Sequence, residues 1–153
     1  MSKQPSSRFC FLCGRDNPVG LKMTWSNDQE KKEIRGTVTV PEHFNGYPGA
    51  VHGGIVTVIL DETAGRAILL TGSHHKLMVT LKIEVTFRRP TPTETPLTAV
   101  GRVIRESSRR ASVEGELLLP DGTMTAECKA LIVRPPEEIT SAWEKELPYW
   151  KVD

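Results

Sequence analysis

The side chains best placed to do chemistry lie in one stretch, Asn45-Gly-Tyr-Pro-Gly-Ala-Val-His52-Gly53-Gly54, followed by Ile-Val-Thr-Val-Ile-Leu-Asp61. Two glycines at the start of a helix leave backbone amides bare and unsatisfied, with the positive end of the macrodipole behind them. Such an end can hold a carbonyl oxygen as it becomes an oxyanion. His52, just ahead, can orient the loop or donate a hydrogen bond. Asp61 lies seven residues past Gly54, two turns on and nearly on the same face, with Thr57 between them and Gly65 beyond. A carboxylate on a buried helix is costly unless something uses or satisfies it. As base or nucleophile it can attack a polarised carbonyl carbon, through water or directly.

Geometry adds a condition. Seven residues at a rise of about 1.5 Å put the two groups roughly 10 Å apart. Reacting atoms must come within about 3 to 3.5 Å. One chain cannot present both groups to one carbonyl. A site using both therefore needs two copies of the helix paired antiparallel, Gly54 of one facing Asp61 of the other, and so at least a homodimer.

Periodicity predicts the elements that must carry these residues. Leu21, Met23 and Trp25 alternate with polar residues, as do Ile34, Gly36, Val38 and Val40. Two strands are expected there, with a turn at Asn27-Asp28 and an end at Pro41. A loop rich in Gly and Pro fills residues 42–51. Over residues 53–71 apolar side chains fall on nearly every side of a helical wheel, which predicts a helix roughly 28 Å long that the rest of the chain encloses. Leu77, Val79, Leu81, Ile83, Val85 and Phe87 then alternate as far as Pro90. This places Leu81, Ile83 and Val85 on the core face and Thr80 on the other, unless a bulge near the strand start re-aims it. Strands over residues 97–104, 111–119 and 124–132 follow, the last two joined by Pro120-Asp121-Gly122-Thr123. Pro135-Pro136 opens a C-terminal helix over 137–147. Consecutive hairpins make the sheet antiparallel, and a helix apolar all round needs that sheet curled about it. The expectation is an α+β fold with five to six strands around one long helix. Residues 1–153 form one domain in this reading, with 1–19 as an N-terminal Cys-x-x-Cys segment and 136–147 as a terminal helix.

The 20 basic and 19 acidic residues nearly cancel. No strong field gathers nucleic acid or an anionic membrane, so neither is expected as a partner. An anionic ligand must be held by local charges. Arg88-Arg89 and Arg109-Arg110 are candidates to hold phosphates, a role to which arginine is suited, or are plain surface charge. Residues 1–7 are polar and lack the apolar run of an export signal. The longest apolar stretch carries Asp61, Glu62 and Arg66, which a membrane span would tolerate only at high cost. Three cysteines are an odd count, so a cytoplasmic, reducing setting is expected rather than a disulfide framework. Cys10 and Cys13 have zinc-knuckle spacing, yet a closed zinc site wants four ligands and no second Cys-x-x-Cys exists; no metal is expected. Cys128 reads as an inert buried thiol, and His74-His75 as solvated loop.

His52-Gly53-Gly54 with an acid nine residues after the histidine resembles the signature of the PaaI-like, phenylacetate-pathway branch of hotdog-fold thioesterases. Cys10-Phe-Leu-Cys13-Gly14, Asn17-Pro18 and Gly20-Leu21 are similar to the start of a subgroup of that branch, as are Phe87-Arg88-Arg89-Pro90 and Pro96-Leu97. The likeness runs over residues 9–133. It implies a cofactor-free acyl-CoA hydrolase assembled as a homodimer or dimer of dimers. The family's carboxylate falls on Asp61, its oxyanion amide on Gly54 and its histidine on His52. The Thr or Ser that positions water in relatives falls on Thr80. Asn45 matches an asparagine that some members carry ahead of the histidine, one residue further away here. Gly53, Arg88 and Arg89 are the substrate-binding candidates. Other readings stand beside this one. Glu62, about 100° round the helix from Asp61, is the alternative acid. A non-catalytic acyl-CoA-binding protein of the same fold is the alternative function. A dehydratase, suggested by His43-Phe44, would need a glutamate where Thr57 stands.

Overall fold

The alternating stretches fold as strands, and the apolar segment between them as a helix. The computed structural model describes residues 1–152. In chain order the strands before the helix are β1 (Ser2–Lys3), β2 (Thr24–Asp28), β3 (Glu33–Thr39) and a small hairpin of β4 (Asn45–Tyr47) and β5 (Ala50–Val51). Helix α1 (Gly53–Arg66) follows, then β6 (Val79–Phe87), β7 (Pro96–Glu106), β8 (Arg110–Leu118), β9 (Met124–Val133) and helix α2 (Glu137–Trp143). Seven strands make one antiparallel sheet in the order β1-β2-β3-β7-β8-β9-β6. Helix α1 packs on it chiefly against β7, β8 and β9. This is the α+β hotdog arrangement; the six expected strands are joined by the two-residue β1 at the outer edge of β2.

Two glycines set how deep the helix sits. Gly101 of β7 and Gly115 of β8 are directly paired beneath α1. A Cβ on Gly101 would lie 2.5 Å from the Thr63 carbonyl oxygen, and one on Gly115 would lie 3.3 Å from that of Leu60. Bare backbone on the sheet thus meets backbone of the helix. Gly101→Ala must lift α1 off its seat, and the expected destabilisation is about 1–3 kcal/mol. A lowered midpoint of urea unfolding would show it.

Several boundaries depart from the periodic reading. Strand β2 starts at Thr24, because the amides of Leu21 and Met23 bond to the Phe11 and Leu12 carbonyls at 2.9 and 2.7 Å instead of entering the sheet. It runs on through Asn27 and Asp28, and the turn falls at residues 29–32, where Asp28 Oδ1 accepts from the Lys31 amide at 3.1 Å. The central α-helix ends at Arg66 and tightens into a 3-10 turn, Ala67–Leu70, that keeps Ala67, Ile68 and Leu69 buried. Its own chain does not enclose it on every side. Val56, Ile59, Leu60 and Ala64 are buried, but Val58 is 36% exposed on the flank the sheet leaves uncovered. The C-terminal helix stops at Trp143 and continues as a 3-10 helix, Glu144–Tyr149. Pro148 lacks the amide an α-helical turn would need there, and its ring would press on the carbonyl four residues back.

Candidate functional site

Helix α1 starts where the loop hairpin hands over to it. His52 is the N-cap, and its Nδ1 accepts from the Gly54 amide at 2.9 Å. The amides of Ile55 and Val56 both reach the His52 carbonyl, at 2.9 and 3.1 Å. Behind it, the His52 amide bonds to the Phe44 carbonyl at 3.0 Å, and the Val51 amide to that of Thr91 at 2.8 Å. Gly46 packs against this corner, since a Cβ there would lie 3.2 Å from His52 Cα. The Gly54 N–H is therefore taken up by the imidazole. The Gly53 N–H finds no acceptor among the described residues. Sequence reasoning missed this cap, although a histidine two residues before a bare amide was visible.

Asp61 sits two turns along, half-buried. Thr80 Oγ1 donates to Asp61 Oδ1 at 2.6 Å, and no described residue bonds the other carboxylate oxygen. Simple alternation put Thr80 on the opposite face, and the structure corrects this. The ladder between β6 and β9 slips between Thr80 and Lys82, so that Thr80 pairs with Ile132 and Ile83 with Ala130, both buried. The extra residue turns Leu81 outward, where it is 66% exposed. A bulge thus re-aims the hydroxyl towards the helix.

The far end of β6 returns to the helix start. The Phe87 ring lies 3.6 Å from where a Gly53 Cβ would be. The next two amides, of Arg88 and Arg89, both bond to the Thr125 carbonyl, and the Arg88 guanidinium pairs with Glu127 at 3.2 Å. Asn45 is not brought to the carboxylate: its Nδ2 donates to Glu42 Oε1 at 2.7 Å.

Glu62 looks elsewhere. Its Oε1 accepts from Arg66 Nε at 2.7 Å, one turn on. The Arg66 guanidinium is buried, stacked 4.3 Å from the Trp25 ring and 5.1 Å from that of Trp150. It also donates to the Pro5 carbonyl at 2.9 Å and to Cys13 Sγ at 3.0 Å. Burial pushes the Glu62 carboxyl up, opposed by the charge of Arg66. The neighbouring Cys10 thiol, with Arg66 and Ser7, draws the Cys13 thiol down against the cost of burial, while Cys13 and burial push that of Cys10 up. Burial holds the Cys128 thiol up at about 11. The Glu62–Arg66 spacing was a legible helix pair; its connection to the cysteine segment was not.

A family model described as the thioesterase superfamily matches residues 48–126. The chain belongs to this superfamily. The matched span runs from the loop before His52 into β9 and includes Asp61 and Thr80. A Saccharolobus solfataricus protein described as a candidate esterase is 34% identical to this thioesterase-superfamily chain over 95 residues, which are 61% of the chain and 66% of that protein. A crystal structure of another thioesterase superfamily protein is 28% identical, with a TM-score of 0.74 over 82% of the chain and 63% of that one. The match thus spans slightly under two thirds of the length of either relative. Two further structures share the fold. One is a candidate thioesterase related to phenylacetic acid degradation from Ralstonia eutropha (24% identity, TM-score 0.66, 74% of this chain and 85% of that). The other is a Streptococcus mutans protein bound to acetyl CoA (19% identity, TM-score 0.61, 67% and 80%). Among the described residues of this superfamily member, no helix is long and apolar enough to cross a membrane.

Proposed function

We propose that this chain hydrolyses an acyl-CoA thioester, with Asp61 as its working carboxylate. The observation that carries the reading is the bond from Thr80 to Asp61 at 2.6 Å. It fixes one carboxylate oxygen and leaves the other free to take a proton from water or to attack the acyl carbon. In the water route, the water oxygen bonds to the carbonyl carbon and its proton passes to Asp61. The tetrahedral intermediate then collapses, the C–S bond breaks with its electron pair on sulfur, and the proton held by Asp61 passes to it, so that CoA leaves as a thiol and the carboxylate is restored. The intermediate's oxygen is assigned to the start of α1, where the Gly53 amide is open and the Gly54 amide becomes so once the oxygen displaces the His52 ring. The two ends of this arrangement lie roughly 10 Å apart in one chain. The reading therefore takes the helix start from one subunit and Asp61 from another, and the uncovered flank around Val58 supports such a pairing. Arg88 and Arg89, beside the helix start, are assigned to CoA phosphates. Asn45, held by Glu42, is given no role. The choice of a CoA ester is supported by the superfamily and by the relative of like fold that is bound to acetyl CoA.

Free-thiol release measured over short, medium, long and aryl acyl-CoAs tests this. Turnover of at least one class is expected. Tight acyl-CoA binding with no release across the whole series would leave a binding protein, and the hydrolase reading would fall. Thr80→Val should lower kcat roughly tenfold or more with little change in KM, since a hydrogen bond to a charged group is worth about 1.5–3 kcal/mol. Thr80→Ser should keep most of the rate.

A further inference from the structure

We propose that Cys10, Cys13 and Glu62 form a binding site for one thiophilic divalent cation of the zinc class. The two sulfurs and a Glu62 carboxylate oxygen all lie within 4.8 Å of one another. Around a tetrahedral zinc ion, with bonds of about 2.3 Å to sulfur and 2.0–2.2 Å to oxygen, such atoms sit roughly 3.5–4 Å apart. Closing the cluster on an ion needs movements of side chains only.

The backbone around the cysteines is already shaped for metal-bound sulfur. The Leu12 amide donates to Cys10 Sγ at 3.3 Å, and the Ser7 amide to Cys13 Sγ at 3.5 Å. Hydrogen bonds of this kind stabilise electron-rich ligating sulfur. The turn is closed by the Gly14 amide on the Cys10 carbonyl at 2.7 Å. A Cβ on Gly14 would lie 2.4 Å from that oxygen, so only glycine fits.

Charge and vacancy point the same way. As ligands, two thiolates and one carboxylate carry three negative charges, while Arg66 supplies one positive charge to the cluster. A divalent ion brings the sum to zero. Glu62 uses one oxygen on Arg66, and its other oxygen has no partner among the described residues. A cavity of about 200 Å³, lined in part by Met78, Trp143 and Trp150, opens onto the same three residues and gives room for a water as fourth ligand. Counting only cysteines in the sequence gave two ligands; the fold supplies the third from α1. Binding involves no redox change. The two sulfurs and the carboxylate oxygen bond to the ion, and any thiol proton leaves to solvent. The ion would tie the N-terminal segment to the central helix at the residue next to Asp61. This inference does not rest on the hydrolase reading.

The test uses the full chain, with metal content measured after exhaustive dialysis and with cobalt(II) as a spectroscopic probe. About one zinc per chain is expected, together with thiolate-to-cobalt absorption in the near ultraviolet, and both should be lost in Cys10→Ser/Cys13→Ser. That double variant can fail to fold, so Glu62→Gln carries the second arm. It should change the visible cobalt bands and weaken zinc binding roughly tenfold or more, at least what loss of an outer-shell partner costs. Metal content no higher than in the double serine variant overturns the site. So does an unchanged cobalt spectrum and affinity in Glu62→Gln, or a metal-free chain whose mass shows Cys10 and Cys13 joined as a disulfide.

Discussion

Asp61→Asn should abolish thiol release from acyl-CoA, lowering kcat by about 10²–10⁴-fold, while the protein melts where the wild type does. The amide has the shape of the carboxylate, and its oxygen can still accept from Thr80, so the bond seen at 2.6 Å need not be lost. What it cannot do is take a proton from water or attack a carbonyl. Acyl-CoA should bind the variant about as well as the wild type, which calorimetry would record. Equal rates for the two proteins would remove Asp61 from the mechanism. The proposed sharing of the site between subunits makes a stronger demand. Gly54→Pro removes the second amide of the helix and with it the donor to His52, and should also be inactive, with circular dichroism checking that the helix is retained. Coexpressed with Asp61→Asn, it should restore activity, because mixed dimers hold one intact pairing of helix start and acid. No recovery in demonstrably mixed dimers would remove one of the two groups from the site and overturn the sharing.

Trp25→Ala should cost about 3–5 kcal/mol of stability, read as a shift in the denaturant midpoint. Trp25 is 1% exposed, and three separate interactions end on it. The ring fills the space between β2 and the end of α1, its Nε1 donates to Thr63 Oγ1 at 3.0 Å, and its face carries the Arg66 guanidinium. Truncation leaves a void, a buried hydroxyl with one partner fewer and a buried cation with only the Trp150 ring left beside it. Trp25→Phe keeps much of the volume and a face for Arg66 but gives up the indole donor, so about 1–2 kcal/mol should remain lost. A loss under 1 kcal/mol for the alanine variant would mean that the helix end is held by other contacts.

The sequence revealed most where structure depends on local repetition. Alternation marked the paired strands, and the dense apolar run marked the helix, because both patterns are written in neighbouring residues. It misled where a contact distant in sequence decides the outcome. Leu81 and Thr80 obey alternation as letters, yet pairing with β9 inserts a residue and reverses which of them meets the helix. Leu21 and Met23 look like strand, but Phe11 and Leu12 claim their amides. The helix stripe from Gly54 to Asp61 was visible from spacing alone. The hold of His52 on the Gly54 amide and that of Glu42 on Asn45 were not, since each depends on how a side chain turns. Glu62 was read only as a rival to Asp61. Its place beside Cys10 and Cys13 arises because some fifty residues of chain fold back before the two meet.

The seat at Gly101 and Gly115 has a consequence for how such a chain can diversify. Main-chain atoms are the same whatever residue bears them, so at this one point the height of α1 above the sheet is set by the two glycines and not by the side chains of Leu60 and Thr63. In the proposed hydrolase, residues of α1 away from this seat could then be exchanged while the helix stays anchored at its middle, so that what a lineage accepts can change while the anchor does not.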